Sequence, residues 1–234
     1  MHVERCNFGE AVNWLKDRFG AAEALSTVAK QTERMIEEKP RHPFQPSNHM
    51  KKTGSKFATI SREFVRKLPS AIVDALHDSG AVYADDHQNA VFLRRSIQGE
   101  VTGAPLRGTV GQSNAFKGLA AGSRRMEGWF MLKSGQSSEV QRAIVCKSAV
   151  AALSYVVLHA TKQKTLYVST DGATIAPVEQ LCQIPQVILA FDRDELGEAM
   201  VQRIGQALPN CDRHSPSAKD WNEDLQQHLS QVQQ

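Results

Sequence analysis

The chain lacks any long apolar run. Stretches such as Ala149 to Ala152 and Val187 to Phe191 fall far short of the about 20 residues that a bilayer-spanning helix needs, so no membrane span and no membrane partner are expected. Cysteine is scarce too. The four present (Cys6, Cys146, Cys182 and Cys211) are widely spaced, with no Cys-x-x-Cys pair and no Cys/His cluster at zinc spacing. A structural zinc site is therefore not expected, and each cysteine reads as a small buried hydrophobe. A basic-then-apolar leader is missing from Met1-His2-Val3-Glu4-Arg5-Cys6, so the expected compartment is the reducing cytoplasm. With 41% hydrophobic and 23% charged residues and a mean hydropathy of −0.38, the composition excludes disorder and collagen-like repetition. The length of 234 residues suits one large domain or two small ones.

The net charge of +3 conceals an uneven distribution. Between Lys39 and Lys67 lie eight Lys/Arg (Lys39, Arg41, Lys51, Lys52, Lys56, Arg62, Arg66, Lys67) against one acid, Glu63. From Asp171 onward there are ten Asp/Glu against four Lys/Arg. A basic front and an acidic back suit a protein that grips phosphates with one part and holds a metal with the other; a solvated linker beside an acidic surface accounts for the same pattern.

Hydrophobic spacing divides the chain. Phe8, Ala11, Val12, Leu15 and Phe19 form one face of a helix that ends at Gly20. A second helix, Ala22 to Glu37, stops at Lys39-Pro40. Pro40 to Ser55 reads as a linker, and Ser61 to Asp78 as a helix that continues through Pro69. Short β-like runs follow at Gly80–Val82, Asn89–Arg94, Glu100–Leu106 and Gly128–Leu132. From Gln141 the pattern alternates: strands at Ala143–Cys146, Thr165–Ser169, Gln186–Phe191 and Cys211–His214, and helices at Ala149–His159, Pro177–Cys182, Glu195–Ala207 and Asp220–Leu229. Alternation of this kind implies a mostly parallel four-stranded sheet flanked by helices, with ligands at the carboxyl ends of the strands.

The sharpest local motif is Val187-Ile-Leu-Ala-Phe-Asp192-Arg-Asp194-Glu-Leu-Gly197, a buried strand that ends in Asp-x-Asp and runs into a helix. Two carboxylates so spaced can share a hard cation such as Mg²⁺. Equally, Asp194 can simply cap the helix. The local pattern leaves both readings open.

The rest of the chain resembles the Toprim fold, most closely the catalytic core of bacterial replicative primases. The resemblance is carried by Ala143-Ile-Val-Cys-Lys147 with its following small-residue helix, by Leu166-Tyr-Val-Ser-Thr-Asp-Gly-Ala173, by Ile188 to Asp194 with Gly197, and by Ser217-Ala-Lys-Asp220-Trp-Asn-Glu-Asp224. Upstream, Ala90-Val-Phe-Leu-Arg94-Arg95, Gly99, Leu106-Arg107-Gly108 and Ala115-Phe-Lys117-Gly-Leu resemble primase segments. Phe8 to Gly20 is similar to the helix that closes a primase zinc-binding domain, although the zinc ligands are absent. The nearest likeness is to Toprim-like proteins of plasmids and mobile elements, in which a domain of unknown function precedes Toprim.

The resemblance implies an α/β architecture: residues 1–38 a helical segment, 39–58 a basic linker, 59–137 an α+β nucleic-acid-binding subdomain and 138–234 the Toprim domain. It implies Mg²⁺ or Mn²⁺ held by Asp192, Asp194 and Asp220, and nucleic-acid contacts through Arg107 and Lys117 and through one member of each of the pairs Arg94/Arg95 and Arg124/Arg125. The departure is Lys147, which stands where the family has its general acid/base glutamate; Ala151 also replaces a common aspartate. An ammonium beside Asp192 and Asp194 would act as an internal counter-ion and leave metal binding weak or absent, at the loss of a group worth about 10²–10⁴-fold in rate. Asp171 reads as a turn aspartate, and Trp129 and Trp221 as packing residues rather than base-stacking ones. The expected protein is thus a primase-like Toprim protein of DNA replication or mobile-element metabolism with a degenerate phosphoryl-transfer site, a nucleotidyltransferase if active. Its expected partners are single-stranded DNA or a primer-template, and a replication helicase or relaxase. The alternatives are an active Toprim nuclease or topoisomerase-like enzyme, and a catalytically silent DNA-binding partner of a plasmid replication or relaxase complex. The helix at Phe8 to Phe19 without its zinc domain also suggests a truncated fragment of a longer protein.

Overall fold

The computed structural model describes residues 44–46, 68–109, 116–171, 176–208 and 210–232, all within one compact unit spanning residues 43–234. The two N-terminal helices and nearly all of the proposed linker lie outside the described residues.

The order of elements is α1 (Ser70–Asp78), β1 (Val82–Ala84), β2 (Ala90–Phe92), β3 (Arg94–Arg95), β4 (Val101–Gly103), β5 (Pro105–Arg107), β6 (Lys117–Leu119), β7 (Phe130–Ser134), β8 (Arg142–Cys146), α2 (Ala149–Leu158), β9 (Thr165–Ser169), α3 (Val178–Leu181), β10 (Gln186–Ala190), α4 (Glu195–Gly205), β11 (Cys211–Arg213) and α5 (Trp221–Val232). The strands and helices expected beyond Gln141 are present within a few residues of their expected ends. Helix α1 does not run through Pro69 as expected. Pro69 is extended (ψ 132) and stands just before the helix, because a proline ring inside a helix removes a donor and collides with the preceding turn.

Strands β11, β10, β8 and β9 are parallel, in that spatial order. The sheet is mixed and has five strands, not four: β7 joins β9 antiparallel, with Phe130 opposite Ser169 and Ser134 opposite Thr165. Alternation along β8 sends Ala143 and Val145 to one face, where they pack with Val187, Leu189, Leu181, Met200 and Ile204 beneath α3 and α4. Ile144 and Cys146 face the other way, towards Ala151, Ala152, Tyr155 and Trp221 of α2 and α5. Burial on both faces explains why these strands read as continuous apolar runs.

Upstream, an antiparallel sheet in the order β1-β2-β5-β6 and the ribbon β3-β4 make the smaller part. Val82, Ala84, Ala90 and Phe92 share one core with Phe130, Ala149, Leu153 and Leu225. The Phe92 and Phe130 rings meet edge to face at 5.6 Å. Trp129 and Trp221 are buried, 8% and 2% exposed, and the Trp221 indole donates to the Ala190 carbonyl at 2.8 Å. Of the described cysteines Cys146 is buried, whereas Cys182 is exposed and Cys211 half-buried, contrary to their shared expectation; all three are free thiols. No described helix is long and apolar enough to cross a membrane.

Candidate functional site

The carboxyl ends of β8, β9 and β10 open onto a cleft of about 390 Å³, closed on its far side by β5 and β6. It is lined by Lys147, Asp171, Asp192, Asp194, Asp220 and Lys219, and opposite them by Arg107 and Lys117.

Lys147 follows the last residue of β8, and Ser148 then caps α2 by accepting from the Ala151 N–H at 3.2 Å. The chain leaves β10 through Phe191 and Asp192, and Asp194 caps α4 by accepting from the Gly197 N–H at 2.7 Å. Capping and charge pairing meet in the same carboxylate. The Lys147 ammonium lies 2.8 Å from Asp194 Oδ2 and 3.0 Å from Asp192 Oδ2. The loop holding both aspartates is pinned from below by Arg213, whose guanidinium donates to the carbonyls of Leu189, Phe191 and Asp192 and to Glu198 at 2.7 Å. Nothing in the local sequence marks Arg213 for that role; it becomes visible only when β11 is laid beside β10.

The charges shift one another. The Lys147 hydrogen bond holds the Asp194 carboxyl below its usual value of 3.8, against some opposing burial. Burial pushes Asp192 up, in spite of Lys147. Burial alone would lower Lys147, but the hydrogen bonds and charges of Asp194 and Asp192 outweigh it and lift the ammonium above 10.5. For Asp194, a depressed carboxyl, the stabilisation is full at neutral pH and is lost as pH falls through and below 3.8. For Lys147, a raised ammonium, it is full below 10.5 and is lost only as pH climbs past the folded value. Asp192 opposes folding once ionised. The Lys147→Met variant is therefore expected to melt below the wild type at neutral pH, with the gap closing in acid as the carboxylates protonate. Thermal melts from about pH 3 to about pH 9 check this; a gap of constant size would count against the ion pair.

A divalent cation would have to compete with Lys147 in this arrangement, where Asp192 Oδ1 is buried without a hydrogen-bond partner among the described residues. Both Asp194 oxygens are engaged, one by the Gly197 N–H and one by Lys147. One Asp192 oxygen faces the same ammonium. Asp220 Oδ1 accepts from the N–H groups of Asn222 and Glu223, both at 2.9 Å, at the start of α5. Among the described residues no group of three or more His, Cys, Asp or Glu side chains is placed to hold a metal. Of the three aspartates expected as metal ligands, Asp192 and Asp194 converge on the Lys147 ammonium, and Asp220 lines the same cleft.

Asp171 is more than a turn residue. It takes a left-handed backbone (φ 49) at the end of β9 and lines the cleft, where burial raises its carboxyl against the opposing charges of Arg94 and Arg107. On the other wall, Arg107 and Lys117 stand directly opposite each other in the β5–β6 ladder. Like charges in that register repel, so an anion lying between them is favoured. The remaining basic candidates lie elsewhere. Arg94 is entirely buried, donating to the carbonyls of Arg125 and Gly128, which removes it from the reach of any nucleic acid. Arg95 is exposed and donates to the Gly99 carbonyl at 3.0 Å. Arg124 is paired with Glu100 at 3.0 Å and Glu127 at 2.7 Å. Arg125 is exposed, and neither it nor Arg95 or Arg124 lines the cleft.

Residues 144–225 match the Toprim-like family, and residues 64–137 match a family described as a protein of unknown function (DUF3991). A 65 kDa protein of Zymomonas mobilis subsp. mobilis is 28% identical over 247 residues, covering 95% of this chain and 40% of that protein. An uncharacterized protein of Bacillus anthracis is 27% identical over 180 residues, covering 69% of this chain and 51% of that one. The chain thus spans about half, or less, of the length of these curated relatives. Among solved structures, the primase fragment of the bacteriophage T7 primase-helicase protein superposes with a TM-score of 0.51 at 19% identity, covering 71% of this chain and 68% of that one. At that identity the likeness is one of fold.

Proposed function

With residues 144–225 forming a Toprim-like domain, we propose that the protein is a primase-like nucleic-acid-binding protein in which Lys147 closes the strand-end carboxylate site and metal-dependent phosphoryl transfer is lost. The fold points to a nucleic-acid-related function. The observation that carries the finer reading is the ammonium of Lys147 placed between Asp192 and Asp194, at 3.0 and 2.8 Å. A cation supplied by the chain itself offsets one of the two carboxylate charges and takes the position between them that would otherwise call for a metal. The cleft then presents Arg107 and Lys117 to phosphates on one side, and on the other Lys219 beside the aspartates whose charge Lys147 partly offsets.

Binding of a labelled single-stranded oligonucleotide, followed by fluorescence anisotropy, is expected to persist in EDTA without any requirement for Mg²⁺ and to weaken steeply with salt, added Mg²⁺ included. The double variant Arg107→Ala, Lys117→Ala is expected to weaken binding at low salt by about tenfold or more. It should also reduce the log–log salt slope by about 1.4, the value for two single-strand phosphate contacts. Binding that needs Mg²⁺, or an affinity that the double variant leaves unchanged, overturns this reading; Mg²⁺-dependent primer synthesis or strand cleavage would restore the enzyme alternatives.

A further inference from the structure

A second cluster of polar side chains lies away from the cleft, on the α2 face of the large sheet. Arg142 opens β8, at the other end of the strand from Lys147, and by alternation its side chain shares a face with Ile144 and Cys146. Tyr167 stands opposite Ile144 in the β8–β9 ladder, which makes it the diagonal neighbour of Arg142 on that face. Helix α2 supplies Tyr155 and, at its carboxyl end, His159. The Tyr155 ring lies 6.4 Å from that of Tyr167 and 4.5 Å from that of His159. Burial pushes the Tyr155 hydroxyl up to about 12 and the His159 imidazole below 6.5, and the Arg142 charge pulls each of them down, so the guanidinium belongs to the same group.

Four atoms of this cluster are closed off from solvent without a hydrogen-bond partner among the described residues: Arg142 Nε and Nη2, His159 Nε2 and Tyr167 Oη. Tyr167 is 0% exposed, so bulk water does not reach its hydroxyl. The acceptors nearby are committed. His214 Nδ1 is paired with the Tyr155 hydroxyl at 2.8 Å. The Asp224 carboxylate, whose charge reaches His159, accepts from the N–H groups of Ser217 at 2.7 Å and Ala218 at 2.6 Å. Among the described residues no carboxylate pairs with Arg142. Buried donors are costly to leave without acceptors, and a buried cation without a counter-charge more so. Nε and Nη2 form one edge of the guanidinium, the fork that meets two oxygens of an oxyanion side by side.

We propose that Arg142, Tyr167 and His159 form a binding site for a free tetrahedral oxyanion of the phosphate or sulfate type. The guanidinium edge supplies two parallel hydrogen bonds and the charge. The Tyr167 hydroxyl and the His159 ring, in the tautomer protonated at Nε2, donate to the remaining oxygens. A water molecule serves such donors as an acceptor but leaves the guanidinium without a counter-charge, which an anion provides. Because its donors are buried beneath α2, the site suits a free ion rather than a phosphate carried on a polynucleotide, and it does not depend on the nucleic-acid reading of the cleft.

Thermal melts of the full chain in increasing sodium sulfate, with ionic strength held constant by sodium chloride, test the site. They are run in the Arg107→Ala, Lys117→Ala background, where the cleft wall no longer attracts anions. The melting temperature is expected to rise saturably, and at about ten times the half-saturating concentration to stand roughly 3–6 °C above its sulfate-free value. Tyr167→Phe, which removes a single hydroxyl, is expected to raise the half-saturating concentration by about tenfold. Without sulfate it should melt no lower than its parent, since a buried hydroxyl in need of a partner is gone. Arg142→Lys keeps the charge without the fork and should weaken the response by about tenfold or more, and Arg142→Met should abolish it. A rise that never saturates is the general effect of an excluded salt and overturns the site. So does a saturable response that survives intact in both Tyr167→Phe and Arg142→Lys. In the otherwise wild-type chain Arg142→Lys is expected to leave oligonucleotide affinity unchanged; a loss there would assign these donors to a phosphate carried on the strand and overturn the free-ion site. The nucleic-acid reading is decided separately, by the anisotropy of the Arg107/Lys117 variant.

Discussion

Replacing Lys147 by glutamate is expected to lower the melting temperature in metal-free buffer and to create a Mn²⁺-dependent recovery that the wild type lacks. The substitution changes the local charge by two units and leaves three carboxylates around the position that the ammonium held, 3.0 Å from Asp192 and 2.8 Å from Asp194. Breaking a fully buried pair costs about 3–5 kcal/mol, but the three side chains are 28%, 14% and 34% exposed, so water screens part of the repulsion. About 2–3 kcal/mol is the expected loss, equivalent to roughly 4–12 °C for a domain of this size. Mutual repulsion raises at least one carboxyl pKa, and a divalent cation becomes the favoured neutraliser. Thermal melts of wild type, Lys147→Glu and Lys147→Met across a Mn²⁺ series read this out. The methionine variant shows the cost of losing the counter-ion without adding a third carboxylate. Equal metal responses in wild type and Lys147→Glu would refute the internal counter-ion.

Gly197→Ala should destabilise the same site from the other side. A Cβ on Gly197 would lie 2.1 Å from the Asp192 carbonyl oxygen and 3.2 Å from Asp194 Oδ1. The obstacle is backbone, and Arg213 holds that loop through the carbonyls of Leu189, Phe191 and Asp192. The strain therefore has no inexpensive outlet, and α4 must tilt or the Asp192 peptide must turn. Overpacking costs about 1–3 kcal/mol, and a backbone conflict belongs at the upper end, about 3 kcal/mol or roughly 6–12 °C. Gly205→Ala in the same helix provides the control. A Cβ there meets Cys211 Sγ at 3.7 Å and Leu189 Cδ1 at 4.0 Å, ordinary contacts, so helix propensity leaves that variant as stable as the wild type or slightly more so. A melting temperature for Gly197→Ala equal to that of Gly205→Ala would show that the Asp192 loop yields freely.

The parallel strands of the Toprim-like part and their helices could be read from residues alone, because each is a contiguous segment whose apolar period records burial on one face or two. The Asp-x-Asp motif was legible for the same reason, being a short segment at the end of an apolar run, whereas Lys147 stood out only through the resemblance to the Toprim fold. Contacts between distant segments were not. Which of Arg94 and Arg95 turns inward depends on carbonyls at Arg125 and Gly128, more than 30 residues further on. β7 looks like one more short β run of the upstream part, yet it completes the large sheet by pairing with β9. Whether Asp194 capped a helix or met a cation could not be decided locally, since capping is a local interaction and the partner, Lys147, comes from another strand. Local periodicity specifies elements because burial is a property of each segment, whereas a site is a property of segments brought together, and that depends on packing that no single segment contains.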